Sequence, residues 1–380
     1  MQIAAITIYT ADLPLADPFQ HASSGLIDVL KEVVVKVETD EGAVGWSEVR
    51  GNAPYVTGET QGRVVAMLRE LLAPRVLLLE QVAPATLPRQ LDAIVPGNTT
   101  AKAAIDIAVH DAAAKSAGLP LRQLLGGGRG DRVHIHGTLP FCTAEAAAHQ
   151  ALAYLDKGIT TIKVRLGLPA FADDLARLRA VQAAVADHTR AADAIIAADV
   201  NQGWGSKEAL SKAKRLSEND LGFALAWLEQ PVSAADTNAL KAVREAVDIP
   251  VFADEACGTP QDLLALIEAN AVDGVHLKLC KAGGVRRLMG MVALAEAAGL
   301  PYLMGQMDEG MLATAAALQC AAASSPLSCE LWGYQRVGSQ PFSGITMVDG
   351  DMRLSSDPGL GVTTDEAGLT LIERIERPRS

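Results

Sequence analysis

The sequence predicts an α/β protein: a (β/α)8-type, modified TIM barrel carrying an N-terminal α+β capping domain that the C-terminal tail completes. Three observations predict it. Eight short β-rich runs follow one another at spacings of about 24 to 34 residues, which is the length that one strand, one helix and two loops require. The segment before them reads as strands and then helices, and a triglycine, Gly126-Gly127-Gly128, separates it from the runs. The segment after them, MVDGDMRLSSDPGLGVTTDE, is rich in turn residues and does not repeat the unit. The expected boundaries are a cap over 1–125, a catalytic barrel over 126–345 and an extension over 346–380 that packs on the cap.

Taken in order, the chain opens with IAAITIYT, then VLKEVVVKVET, a turn at Asp40-Glu41-Gly42, and VGWSEV. Two apolar runs around a DEG turn predict a hairpin. From Glu59 to about Leu125 the pattern becomes helical, interrupted at Gly118-Leu119-Pro120. The eight runs then fall at 133–137, 161–164, 195–200, 226–228, 250–253, 274–279, 301–304 and 328–331. An open doubly wound sheet is the competing arrangement. It fits less well, because no GxGxxG follows the first strand and eight units exceed the usual open sheet.

Composition narrows the function classes. With 49% hydrophobic, 21% charged and 4% aromatic residues, the chain reads as a soluble, alanine-rich globular protein with a packed core. A net charge of -12 argues against nucleic-acid binding through a general basic surface. Any carboxylate substrate must then be held by local positive charge. Five dispersed cysteines with no CxxC pair point to a reducing, cytoplasmic setting. The N-terminus lacks the features of a signal peptide, and the alanine-rich stretch 311–323 is too short to span a bilayer, so no membrane partner is expected. A symmetric homo-oligomer is the prior expectation.

The chemistry is concentrated at the ends of the runs. Asp199, Glu229 and Asp254 end the third, fourth and fifth. In such barrels the C-terminal strand ends converge on the active site. Three oxygen ligands without Cys or His suit Mg²⁺. Any one of these acids alone would be read as an ordinary polar strand end; all three in register point to a metal. Lys278 ends the sixth run, and Lys163 and Arg165 lie at the end of the second, across the barrel from it. A lysine becomes a base when a metal ion and other cations lower its pKa, whereas a purely structural lysine would pair with one of the acids. Asn201, Glu255 and His276 are the supporting candidates: Asn201 two residues beyond Asp199, Glu255 beside Asp254, and His276 two before Lys278, there either to orient the lysine or as a satisfied core histidine.

Together the motifs IKVRLG, ADVNQGW, LEQP, ADE, HLKLCKAGGV, GQMDEGMLATAAALQ, SCELWG and DPGLGV resemble the enolase superfamily, in its muconate lactonizing enzyme-like branch. The resemblance covers nearly the whole chain. It implies a Mg²⁺ site at Asp199, Glu229 and Asp254, with Mn²⁺ as an alternative ion, and Lys278 as a base that removes the proton α to a carboxylate. One departure matters. The branch usually carries Lys-x-Lys on the second strand, and this sequence has Lys163-Val164-Arg165. Arginine stays protonated, so Arg165 suits holding a carboxylate better than shuttling a proton.

The resemblance also places the specificity loops at 16–26 and 51–60, which contain His21 and Tyr55; Asp308, Glu330 and Trp332 complete the expected substrate contacts. Tyr55 and Trp332 are expected to form an aromatic wall for a cationic nitrogen, with simple packing of the two rings as the plain alternative. The leading expectation is dehydration of a cyclic amino acid such as a hydroxyproline. Epimerization of a proline betaine or N-acyl amino acid comes next, then a muconate-type cycloisomerization, which Glu330 keeps open. A ligand-binding barrel without activity is the non-enzyme alternative, and the intact acids and Lys278 argue against it.

Overall fold

The hairpin around Asp40-Glu41-Gly42 forms in the computed structural model, which describes residues 1–127, 130–217 and 221–378. Gly128 of the triglycine lies outside the described residues. The strands Ile27–Thr39 and Val44–Arg50 pair antiparallel, with Val37 opposite Gly45 and Glu38 opposite Val44. Gly42 takes the positive φ of 86° that the reversal needs. Ile3–Phe19 adds on the other side of Ile27–Thr39. The tail strand Thr370–Glu376 completes the sheet as its outer edge, pairing Ile375 with Ile6 and Arg374 with Thr7.

The long cap helix Thr99–Ser116 is alanine-rich and buried on nearly all sides, because it is wedged between this sheet and the barrel. Its close approach requires Gly45: a Cβ there would lie 1.9 Å from the Ala108 carbonyl oxygen. Asp111 on the same helix ties three segments together. Its Oδ2 accepts from the Trp46 backbone N–H at 2.8 Å and from Lys115, and its Oδ1 accepts from Leu360 N–H at 2.8 Å. The glycine of the tail motif DPGLGV explains the fit, since a Cβ on Gly359 would fall 2.1 Å from Asp111 Oδ1. Asp111→Ala leaves two buried N–H groups unsatisfied and should cost about 1–3 kcal/mol of stability. Urea unfolding measures this, and an unchanged midpoint would show that the tail is held elsewhere.

The barrel strands are Gly137–Leu139, Thr161–Arg165, Ile195–Asp199, Leu228–Glu229, Val251–Ala253, Gly274–Lys278, Tyr302–Gly305 and Ser328–Glu330, parallel and in chain order. The ring closes where His136 N–H donates to the Cys329 carbonyl at 2.8 Å. Seven crossover helices cover it: Ala144–Asp156, Phe171–Ala186, Ser206–Ser217, Thr237–Ala246, Pro260–Ala269, Val285–Ala297 and Met311–Ala322. After the eighth strand the chain makes only a short 3-10 turn, Gly333–Arg336, before the tail begins.

One strand differs from the expectation. The run 133–137 is divided between two sheets: Arg132–His134 pairs antiparallel with the tail strand Asp351–Arg353, and only Gly137 onward enters the barrel. The tail hairpin Thr346–Val348 and Asp351–Arg353 supplies a partner that local sequence could not reveal. Among the described residues no disulfide joins the five cysteines, and no helix is long and apolar enough to cross a membrane.

Candidate active site

Strand register puts the site residues level with one another. Arg165 pairs with Asp199, and Asp199 with Glu229, on three consecutive strands. Lys278 pairs with Gly305, and Gly305 with Glu330, on the sixth to eighth. Aligned positions on parallel strands point the same way, so each row turns toward the barrel axis. Asp254 follows the fifth strand immediately.

Lysines balance these carboxylates. The Lys163 ammonium lies 3.1 Å from Asp199 Oδ2, 3.1 Å from Glu229 Oε1 and 3.0 Å from Glu330 Oε1. Lys278 donates to Asp254 Oδ2 at 2.7 Å and Lys281 to Asp254 Oδ1 at 2.5 Å. The consequences for proton affinity differ by residue. Burial pushes Asp199 up to about 6, with Lys163 opposing it. Burial would also raise Asp254, but Lys278 and Lys281 hold it well below the usual carboxylate range. Burial, with the charges of Asp254 and Asp199 added, pushes Glu255 up to about 8. Lys278 is raised, because the attraction of Asp254 and Glu330 outweighs burial. In the protein alone it is therefore an acid, and it becomes a base only if the charge on Asp254 is taken up by something else.

Most of the expected residues face one cavity. Asp199, Asn201, Asp254, Glu255, Lys278, Glu330, Arg165 and Asp308 all line it. His21 and Tyr55 reach into it from the two cap loops, packed edge to face with ring centroids 5.1 Å apart. The cavity encloses about 340 Å³ of empty space, open solvent included. Lys163, Glu229 and His276 lie beneath it, fully buried.

The aromatic wall is corrected, and the placements left open for His276 and Glu255 are decided. Trp332 does not join Tyr55 in an aromatic wall. It turns outward against Tyr154, centroids 5.3 Å apart, with Lys157 over its ring, because the chain bends into the 3-10 turn directly after it. His276 does not orient Lys278; its Nδ1 bonds Glu229 Oε1 at 2.8 Å, and the absence of a side chain at Gly305 makes room for the ring. Glu255 lines the cavity, where its Oε2 is buried without a partner.

Two functional residues escape sequence reasoning. Lys281 bonds both the side chain and the backbone carbonyl of Asp254, and the His276 carbonyl at 2.8 Å. The signal was its position three residues after Lys278, which one helical turn, Leu279–Ala282, converts into proximity. Gln230 accepts from Asp254 N–H at 2.9 Å and Ala256 N–H at 3.0 Å, tying LEQP to ADE.

The donor set fits a hard divalent cation. Asp199 and Asp254 line the cavity above Glu229, and two further oxygens beside them, Asn201 Oδ1 and Glu255 Oε2, are buried with no hydrogen-bond partner. Such all-oxygen sites suit Mg²⁺. Among the described residues, the three groups whose ligand atoms lie within 4.8 Å of one another are Glu229, His276 and Glu330. That set suits a hard cation less well, because it includes an imidazole whose Nδ1 is already engaged with Glu229.

A cap over a barrel whose consecutive strands end in buried acids and lysines defines a barrel enzyme. The chain matches the mandelate racemase / muconate lactonizing enzyme N-terminal domain over residues 3–126 and the enolase C-terminal domain-like family over 146–368, and it belongs to that family within the enolase superfamily. It is 31% identical to N-succinyl-L-Arg/Lys racemase of Bacillus cereus over 99% of this chain and 100% of that one. The crystal structure of that racemase superposes with a TM-score of 0.90 at 30% identity, covering 99% and 100% of the two chains. A chloromuconate cycloisomerase of Pseudomonas sp. strain P51 is 33% identical over 96% and 97%. A dipeptide epimerase of Cytophaga hutchinsonii, complexed with Mg and the dipeptide D-Ala-L-Val, superposes with a TM-score of 0.88 at 27% identity over 99% of each chain.

Proposed function

We propose that the protein is a Mg²⁺-dependent isomerase in which Lys278 alone exchanges a proton at the carbon α to a substrate carboxylate, as in a cycloisomerization. One observation carries this reading: Arg165 and Lys278 both line the cavity, from the second and sixth barrel strands that lie across the ring from one another, whereas Lys163 is fully buried and engaged with three carboxylates. A two-base racemase needs a proton carrier on each face, and a guanidinium is a poor one. Asp199, Glu229 and Asp254 would hold the ion. When bound, Mg²⁺ supplies charge stabilisation to the carboxylate oxygens as the α-proton leaves or arrives. Asp254 engaged in this way would leave Lys278 free to turn to the cavity, and Lys281, bonded to the Asp254 side chain and backbone carbonyl, would keep Asp254 in place. Arg165 orients the substrate from the other face.

Dehydration of a hydroxyproline uses the same single base. It is less well supported, because the aromatic wall for a ring nitrogen is not formed and the relatives above are a racemase, a cycloisomerase and an epimerase. The test is NMR in D₂O with Mg²⁺, using muconolactone, N-succinyl amino acids and dipeptides as probes. The expected result is incorporation of one deuterium at the α-carbon with configuration retained. Deuterium incorporation with inversion would sink the one-base reading, and exchange without Mg²⁺ would sink the metal.

A further inference from the structure

We propose that Arg50 clamps the cap to the wall of the cavity and that Glu32 switches the clamp. With a proton on Glu32 the guanidinium holds the Met307 carbonyl; without one, the Glu32 carboxylate draws it back into the cap. Neither state depends on which reaction the site performs.

Glu32, Glu48 and Arg50 share one face of the cap sheet. Glu32 and Arg50 are opposed across the strands Ile27–Thr39 and Val44–Arg50, and Glu48 stands two residues before Arg50. The barrel covers this face, so all three are 2% exposed or less. From the barrel side Glu309 and Cys280 face them. Two of the three acids have donors. Glu48 Oε2 accepts from the Ala313 N–H at 2.9 Å, at the start of the helix Met311–Ala322, and Glu309 accepts from the Arg50 N–H at 3.3 Å, the Met307 N–H at 3.1 Å and the Cys280 S–H at 2.9 Å. Glu32 has none: among the described residues both its oxygens are buried without a partner.

Arg50 stands opposite Glu32 and does not pair with it. Its Nη1 donates to the Met307 carbonyl, its Nε donates to Asn52 Oδ1 at 3.1 Å, and its Nη2 is buried with no partner. An ionised carboxylate could not stay unpaired in this seam beside an open guanidinium N–H, whereas a neutral carboxyl can. Burial, joined by the charges of Glu48 and Glu309, pushes the Glu32 carboxyl well above the usual carboxylate range, against the pull of Arg50. Burial also pushes Glu48 up to about 8, although the Ala313 N–H opposes it. When Glu32 loses its proton, Arg50 is the cation that faces it, and a charge-assisted bond from the guanidinium satisfies it. Met307 lines the cavity, and Arg50 leads into the loop 51–60, whose Tyr55 lines it too. Movement of one side chain therefore loosens the end of the seventh strand and the cap loop together.

A carboxyl that binds its proton more tightly in the folded chain stabilises that chain fully below its ordinary pKa, and the contribution is lost as pH rises through the folded value. The window opens near pH 4.5 and extends through about 8 for Glu48. The seam is thus closed in acid and weakens toward alkaline pH.

Hydrogen exchange read by mass spectrometry on the full chain at pH 6 and pH 9, corrected for the intrinsic rate, tests this. Protection of the segments 51–60 and 305–310 should fall by about tenfold or more between the two. The amide of Glu32→Gln has the shape of the protonated carboxyl and cannot ionise. At pH 9 that variant should keep about fivefold or more of the lost protection and melt about 4 °C or more above the unaltered protein. Arg50→Lys keeps the charge but cannot hold Met307 and Asn52 together, so segment 305–310 should lose protection already at pH 6. Equal protection at the two pH values in the unaltered protein would overturn the switch, as would a loss spread evenly over the chain or a pH response in Glu32→Gln as large as that of the unaltered protein. A Glu32→Gln chain that melts lower at pH 9 counts against it as well. Should Glu32→Gln fail to fold, the unaltered protein and Arg50→Lys decide, and full protection of 305–310 in Arg50→Lys at pH 6 overturns the clamp.

Discussion

Lys278→Ala should slow α-proton exchange by about 10²–10⁴-fold, the usual contribution of a positioned general acid or base. The ammonium reaches the cavity from the end of the sixth strand and is held at 2.7 Å by Asp254, a residue proposed to bind the ion. Removing it takes away the one lysine, among the described residues, that lines the cavity. Lys278→Arg should be nearly as inactive, because a guanidinium keeps its proton. The measurement is deuterium incorporation by NMR, with Mg²⁺ affinity determined in parallel. Full exchange by Lys278→Ala, coupled with loss in Lys163→Ala, would mean that the base is misassigned.

Lys163→Ala should cost about 3–5 kcal/mol of stability in the absence of divalent cations, the typical penalty for breaking a fully buried ion pair by deleting one partner. Three carboxylates, on Asp199, Glu229 and Glu330, lose a neighbour that lies within 3.1 Å of each. Mg²⁺ should then raise the melting temperature of the variant more than that of the unaltered protein, because the ammonium no longer competes for Asp199 and Glu229 and binding to the native state stabilises it by mass action. Calorimetric melts with and without Mg²⁺ check both parts. An equal response of the two proteins would show that these carboxylates do not meet the ion.

Much of the architecture was legible because it repeats. Period-two runs separated by helical stretches mark barrel units however the units pack, and seven of the eight expected runs overlap a barrel strand, with ends displaced by up to two residues. The first was misdrawn because Arg132–His134 finds its partner over 200 residues away, at Asp351–Arg353; strand propensity says where a strand is and not which sheet it joins. The site was legible to the same depth. A residue at a strand end must lie at the rim, so position alone is enough to bring Asp199, Asp254, Lys278 and Arg165 to one cavity.

Side-chain direction beyond the strand ends was not legible. Trp332 and Tyr55 are equally suited to a wall by sequence, and only the turn after the eighth strand packs Trp332 against Tyr154, away from the cavity. His276 reads identically whether it serves Lys278 or Glu229; the gap left by Gly305 on the adjacent strand decides it.

The sequence by itself determined the barrel, the cap that the tail completes, and the ring of acids and lysines, because alternation and spacing are properties of the chain that survive any packing. Only the tertiary structure decided which lysine faces the cavity and which is buried beneath it. Lys163 and Arg165 lie two residues apart on one strand and point the same way, yet one sits a layer deeper and neutralises carboxylates while the other meets the cavity. Depth along the barrel axis is set by how neighbouring strands register, and that register is fixed by hydrogen bonds between segments far apart in sequence.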